Sequence, residues 1–238
     1  MICQSCQGRA NQAVGSKDGW DFTRCATCGT IVTTPTPTES ELADFYRQYP
    51  SNEMYAKKRD KKIKRAKRRI KRMQRFSYGN RFLDVGCNLG YAVAAAQSLE
   101  LSAYGIDLDA SAVASAQREF GKASFSVITA PKFAAKGPKF DMVYTSEVIE
   151  HIPNYGEFAA AIGELTAPAG VLYLTTPDAG HFRIPGNFVA WPQVHPPRHL
   201  TYFTKIGLQR LFERYGFHEI RFIWNLKPNI RMIARKKI

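Results

Sequence analysis

Two cysteine pairs, Cys3-x-x-Cys6 and Cys25-x-x-Cys28, stand eighteen residues apart at the start of the chain. Two such knuckles supply four thiolates, which close a tetrahedron around zinc and leave no position open for water. Cys3, Cys6, Cys25 and Cys28 therefore predict a structural zinc ribbon and not a catalytic metal. Gly8 and Gly29 suit the knuckle turns. A ribbon of about 30 residues buries little core, so bound metal would supply much of its stability.

A second set lies in the stretch Arg81–Tyr91, RFLDVGCNLGY. Phe82, Leu83 and Val85 read as a short buried strand, Gly86 and Gly90 bracket a turn, and an Ala-rich helix follows from Ala92 to about Leu99. A strand feeding a glycine turn and a helix leaves backbone N–H groups where a ligand can approach. The spacing is Asp84-x-Gly86-x-x-x-Gly90. It is neither a phosphate loop, since no Gly-Lys-Ser/Thr follows, nor the dinucleotide G-x-G-x-x-G. The next strand, Ala103–Asp107, ends in a carboxylate, which can accept both ribose hydroxyls of an adenosine. Cys87 reads as a small packing residue, because nothing beside it in sequence marks an activated thiol.

A third set follows the strand Phe140–Thr145: Glu147, Glu150 and His151, at spacings of three and four that put them on one face of a helical turn. Farther on, Ala179–Leu200 is too long for an ordinary connection and is rich in Pro and aromatics. Long loops in compact domains are usually functional. Its candidates are His181, Trp191, His195, Arg198 and His199.

The elements that must position these groups are legible. The chain has 238 residues, 45% of them apolar, enough for one sizeable α/β domain with a small appendage. No apolar run is long enough to span a bilayer, and Met1-Ile2-Cys3-Gln4 lacks the features of a signal peptide, so a cytoplasmic location is expected. The formal charge is +14, but thirteen Lys/Arg against the single acid Asp60 fall between Lys57 and Arg75, so one element carries twelve of the fourteen charges. Glu53–Phe76 has no Pro or Gly and a stripe of Ile63, Ala66, Ile70 and Met73, which predicts a helix. Its basic face reads either as solvated or as a site for an anionic partner: RNA, a phosphorylated substrate or a membrane surface. Thr33–Thr38 is a stiff link. Thr38 or Ser40 would cap a helix over Glu41–Gln48, with Leu42, Phe45 and Tyr46 on one face and a stop at Tyr49-Pro50. Further strands are expected at Ser124–Ile128, Gly170–Thr175, Phe217–Trp224 and Asn229–Arg235, with helices at Gly156–Ala167 and Lys205–Tyr215.

Asp84, Gly86, Gly90 and Asp107 in this order resemble the nucleotide-binding half of class I S-adenosylmethionine (SAM) methyltransferases, over roughly 79–236. The resemblance implies a Rossmann-like α/β fold with a seven-stranded sheet, finished by the antiparallel terminal pair. The expected organisation is a zinc ribbon at 1–34, a linker and basic helix at 35–78, and a SAM-binding domain at 79–238. It implies that Asp84 holds the methionine part of SAM, that Asp107 takes the ribose with Leu108 beside the adenine, and that Gly86, Cys87, Asn88, Gly90 and Tyr91 line the same end. The chain departs from the family where an acidic residue often meets the adenine amine. Val127-Ile128-Thr129-Ala130 offers only backbone or Thr129 there. E-x-x-E-H is common at the Glu147 position in this class. It either orients the loop beside the sulfonium or, as in some small-RNA 2′-O-methyltransferases and quinone-pathway O-methyltransferases, binds magnesium or zinc, with His195 or His199 as a further ligand. His199, His195 and Glu147 are the implied catalytic candidates. The cysteine pairs, Pro-Thr link and following helix resemble the leader of a bacterial group with a zinc ribbon, many of which act on sugars or other small metabolites. An RNA acceptor is the second reading. A non-enzymatic module binding nucleic acid or protein is the third.

Overall fold

The computed structural model describes residues 1–38, 41, 42, 45, 58–121 and 124–238. The expected stop at Tyr49-Pro50 and most of the Glu41–Gln48 helix lie outside these. Thr38 Oγ1 does accept from the Glu41 N–H (3.3 Å) while Glu41 Oε2 accepts from Thr38 N (2.7 Å), the reciprocal cap of a helix start.

Strands β1 (Ala10–Lys17), β2 (Trp20–Cys25) and β3 (Ile31–Thr34) form an antiparallel meander. Its far edge takes a fourth strand from a distant part of the chain, β9 (Thr201–Tyr202), through Ile31↔Tyr202 and Val32↔Thr201.

The larger sheet contains β4 (Arg81–Val85), β5 (Ser102–Asp107), β6 (Phe125–Val127), β7 (Phe140–Ser146), β8 (Thr166–Pro177), β10 (Phe217–Phe222) and β11 (Asn229–Lys236). The order is β10-β11-β8-β7-β4-β5-β6, with every strand parallel except β11, which runs antiparallel to both β8 and β10. This is the seven-stranded α/β architecture expected from the sequence, and the antiparallel β10–β11 pair is the one read at the terminus. Strand order reverses between β4 and β7, so the crevice for a ligand opens at the carboxyl ends of these strands.

Alternation along the parallel strands sorts the core into two layers. Leu83, Val85, Val143, Leu172 and Leu174 pack under α5 (Tyr155–Leu165) and α6 (Lys205–Arg214). Phe82, Met142, Tyr144, Val171 and Tyr173 face the opposite side, where α2 (Tyr91–Gln97) and α1 (Arg59–Met73) cover them. Helix α1 lies down through the stripe read from sequence: Ala66, Ile70 and Met73 are buried. Helices α3 (Ala110–Phe120) and α4 (Ala130–Ala134) complete the wound part. No helix among the described residues is long and apolar enough to cross a membrane.

Candidate active site

The glycine turn after β4 is folded by three left-handed residues, Gly86 (φ 79°), Asn88 (φ 46°) and Gly90 (φ 76°). The N–H groups of Gly86 and Cys87 both donate to the Ile106 carbonyl (2.9 and 3.0 Å), which ties the turn to β5. Asp107, at the end of β5, accepts from Asn88 N through Oδ2 (2.8 Å) and from Asp109 N through Oδ1 (2.9 Å). Each carboxylate oxygen is thus aimed by one backbone donor and keeps acceptor capacity for a ligand hydroxyl. Burial raises the Asp107 carboxyl above its ordinary range, against those N–H bonds. Asp84 is 4% exposed, and burial, then the charge of Asp107, pushes its carboxyl well up. Leu108 stands exposed at the rim, and Tyr91 is buried edge-on against Phe120 (6.5 Å). Burial pushes the Cys87 thiol up, so it packs and does not react. Thr129 Oγ1 caps α4 by accepting from Lys132 N (3.3 Å).

Glycine at 90 is required twice over. A Cβ there would lie 2.8 Å from the Phe125 ring and 3.0 Å from Ala116 Cβ, at a φ that L residues avoid. Gly90→Ala is expected to cost about 2–4 kcal/mol in left-handed strain and overpacking. A thermal melt reads this as a Tm lower by roughly 5–15 °C.

Beyond the end of β7 the structure separates the acidic triplet. Glu147 takes a left-handed conformation (φ 58°) before the 3-10 turn Ile149–His151 begins, so the shared helical face expected of Glu147, Glu150 and His151 does not form. The Glu147 carboxylate accepts from Thr175 Oγ1 (2.8 Å) and Asn229 Nδ2 (3.2 Å). Glu150, His151 and His199 instead bring one ligand atom each within 4.8 Å of one another. Glu150 is fully buried. Its Oε2 accepts from Thr176 Oγ1 (2.9 Å), and its Oε1 finds no hydrogen-bond partner among the described residues. The Nδ1 atoms of both imidazoles are committed to carbonyls, His151 to Arg198 O (2.6 Å) and His199 to Gln193 O (2.7 Å), which fixes Nδ1–H as donor in each. His195 is exposed, its ring 6.4 Å from that of His199, and stands at the mouth of the cluster.

Burial holds the His151 imidazole down at about 4, and burial with the neighbouring His151 holds His199 at about 3. Both should keep their neutral-ring Cε1–H shifts in an NMR titration down to pH 5. Titration of either near the ordinary value of about 6.5 would show that the ring is solvated.

One participant was not foreseen. Arg69 of α1 turns inward, donating to Tyr144 Oη (2.6 Å) and Ser146 Oγ (3.0 Å) while its guanidinium lies over the Tyr173 ring (5.6 Å). Ser146 bonds Thr175, and Thr175 bonds Glu147, so one polar chain runs from Arg69 through Glu147 across the strand tips. In a run of Lys and Arg no sequence signal distinguishes Arg69. On the same helix burial, then Arg65 and Lys58, pushes Lys62 down to about 8.

The four N-terminal cysteines converge. Cys3–Cys28 and Cys6–Cys25 are each 3.6 Å apart, all four sulfurs lie within 4.8 Å, and no disulfide joins them. The edge of a thiolate tetrahedron around zinc, with Zn–S near 2.3 Å, is about 3.8 Å, so the donor set and its spacing fit that ion.

A family model described as a methyltransferase domain matches residues 55–220, well over half of the chain. The chain belongs to the methyltransferase domain family. Among curated relatives it is similar to the ubiquinone biosynthesis O-methyltransferase of Brucella ovis, 30% identical over 102 residues, and to that of Thiobacillus denitrificans, 33% identical over 103. These alignments cover 41% of this chain and 41% and 44% of the relatives, so the chain matches less than half the length of either. Among solved structures, a SAM-dependent methyltransferase from Archaeoglobus fulgidus superposes with a TM-score of 0.59 at 16% identity, over 73% of this chain and 94% of that one. The PH0226 protein of Pyrococcus horikoshii gives 0.62 at 16%, over 82% and 99%. At that identity they share the fold of this family member: the class I SAM methyltransferase sheet, with the crevice at the β4–β7 reversal.

Proposed function

We propose that this methyltransferase-family chain transfers a methyl group from SAM to a small molecule. The observation that carries this is the donor crevice: the Gly86–Gly90 turn at the strand-order reversal, with Asp84 buried behind it and Asp107 aimed by two backbone donors. Asp107 would accept the ribose hydroxyls, Leu108 would cover one face of the adenine, and Asp84 would meet the amino group of the methionine part. Bound SAM supplies an electrophilic methyl on sulfur. The chain's contribution is to orient the acceptor, exclude water and remove a proton.

For a hydroxyl acceptor the base is His199. Its ring is fixed by the Gln193 carbonyl and held neutral by burial, and it sits beside His151 (ring centroids 4.9 Å). His195 at the mouth is the alternative. Glu147, tied to Thr175 and Asn229, would position the acceptor. The activity named for the curated relatives, O-methylation in ubiquinone biosynthesis, favours an oxygen acceptor. The ribbon-bearing leader favours a sugar or another small metabolite.

A second reading gives Glu150, His151 and His199 to a divalent cation of the magnesium or zinc type. It is supported by the buried Glu150 Oε1, which has no hydrogen-bond partner among the described residues and lies 4.0 Å from His151 Nε2. Such an ion would polarise the acceptor oxygen, with the same three side chains as its ligands. The four cysteines would hold structural zinc.

Calorimetry with S-adenosylhomocysteine on the folded, zinc-loaded protein tests the donor. Absence of binding overturns the enzyme reading in favour of a binding module. For the acceptor, methyl transfer to RNA and to nucleotide-sugar and phenol pools should be compared, with and without chelator. If replacing the Lys and Arg of α1 by Gln leaves RNA affinity unchanged, RNA is eliminated as the anionic partner.

A further inference from the structure

The ribbon carries more apolar surface than its own small meander can bury. Val14, Trp20, Phe22 and Ile31 all lie on it, and each packs outward into a cluster completed by Ala179, Ile184, Phe188, Val189, Trp191, Val194 and Tyr202. All but Tyr202 of that second group belong to the 179–200 loop. Phe22 is the wedge: its ring meets Phe188 at 5.5 Å and Tyr202 at 5.9 Å, both edge-on.

Hydrogen bonds repeat the pattern. Lys17 Nζ donates to Val194 O (2.7 Å), and Thr33 donates to Leu200 O from both its N–H (2.9 Å) and its hydroxyl (3.2 Å). Thr204 Oγ1 donates to Cys28 O, within the second knuckle. Gln4, between Cys3 and Cys6, donates to Pro153 O (3.2 Å) and accepts from Gly156 N (2.8 Å).

These contacts end next to the histidine cluster. Leu200 N donates to Glu150 O (2.8 Å), and Tyr202 Oη donates to His199 O (3.1 Å). No hydrogen bond from residues 1–34 reaches 81–121, which holds the glycine turn and Asp107, among the described residues.

We propose that the four-cysteine knuckle is a clamp on the acceptor half. With its thiolates gathered on a metal ion, the ribbon fixes the 179–200 loop and through it the Glu150–His151–His199 cluster, while the donor crevice is built independently of it. The core of the knuckles is little more than the four cysteines and Ala10, so metal binding and the order of the knuckles are one equilibrium, and the loop packed on the ribbon inherits it. Chelation or thiol modification would then switch acceptor handling without removing the donor. The assignment of the two halves rests on the function proposed above; the mechanical coupling does not.

Hydrogen exchange read by mass spectrometry on the zinc-loaded full chain, before and after treatment with a strong chelator, tests the coupling, with S-adenosylhomocysteine calorimetry on both samples. Exchange across 184–202 should accelerate tenfold or more on chelation, while β4 and β5 keep their protection and the Kd changes by no more than about twofold. Phe22→Ala, with zinc content verified, should reproduce the loop acceleration with the metal in place. Unchanged loop exchange on chelation overturns the clamp. So does equal loss of protection in β4 and β5, since the metal would then support the whole fold. If the loaded protein never binds S-adenosylhomocysteine, the donor reading falls, yet the contrast between loop and β4 still decides the clamp.

Discussion

Asp107→Ala should raise the Kd for S-adenosylhomocysteine about a hundredfold. The carboxylate has its two oxygens aimed by Asn88 N and Asp109 N, at 2.8 and 2.9 Å, with acceptor sites to spare. A hydrogen bond to a charged group contributes about 1.5–3 kcal/mol. Two to a ribose diol total about 3 kcal/mol or more, and each 1.4 kcal/mol is tenfold in affinity. Part of the loss would come from the loop itself, because Asn88 sits at φ 46° and relies on Asp107 to hold that geometry. Calorimetry on Asp107→Ala and Asp107→Asn separates the contributions. Asn keeps oxygen acceptance and loses charge, so it should fall between wild type and Ala. A change below threefold in both would remove Asp107 from the donor site.

His199→Asn should lower kcat by about two to four orders of magnitude with an acceptor that must lose a proton, the usual contribution of a positioned base. Asn can still donate to the Gln193 carbonyl, so the 179–200 loop keeps its anchor and S-adenosylhomocysteine affinity should stay within about twofold. The acid limb of the wild-type pH–rate profile is the second readout. Burial keeps His199 neutral, with its pKa held at about 3, so the rate should persist below the ordinary histidine range of about 6.5. An acid limb near 6.5 that vanishes in His195→Asn would transfer the role to His195 at the mouth. If the cluster holds a cation, His199→Asn should also weaken metal retention, and Glu150→Gln should do so as strongly.

The glycine turn and Asp107 were legible in sequence because their geometry is local. Asp84, Gly86, Asn88 and Gly90 occupy seven consecutive positions, and their φ values follow from residue type: two glycines and an asparagine take the left-handed turns. Asp107 is found by counting to the end of the next strand. Cysteine spacing is similarly self-contained, and the four sulfurs lie where it puts them.

The Glu150–His151–His199 cluster was legible as a list of candidates and not as an arrangement. Glu147 and Glu150 look equivalent at helical spacing. Their separation depends on the left-handed kink at Glu147, which Thr175 of β8 and Asn229 of β11 hold by hydrogen bonds. The resemblance ranks His199 above His195, and the structure supplies a physical reason: the Gln193 carbonyl holds the His199 ring inside while His195 is exposed.

By itself, then, the sequence determined the class of fold, the glycine turn and the four-cysteine cluster, because each is set by backbone preference and spacing over a few residues. Tertiary structure alone decided which of ten like charges on α1 turns inward as Arg69, which carboxylate joins the histidines, and that the β1–β3 meander seats on the 179–200 loop. Those outcomes turn on burial and on partners as many as 177 residues apart, as Lys17 and Val194 are. Desolvation and packing act on the assembled surface, so they leave no local mark in the order of residues.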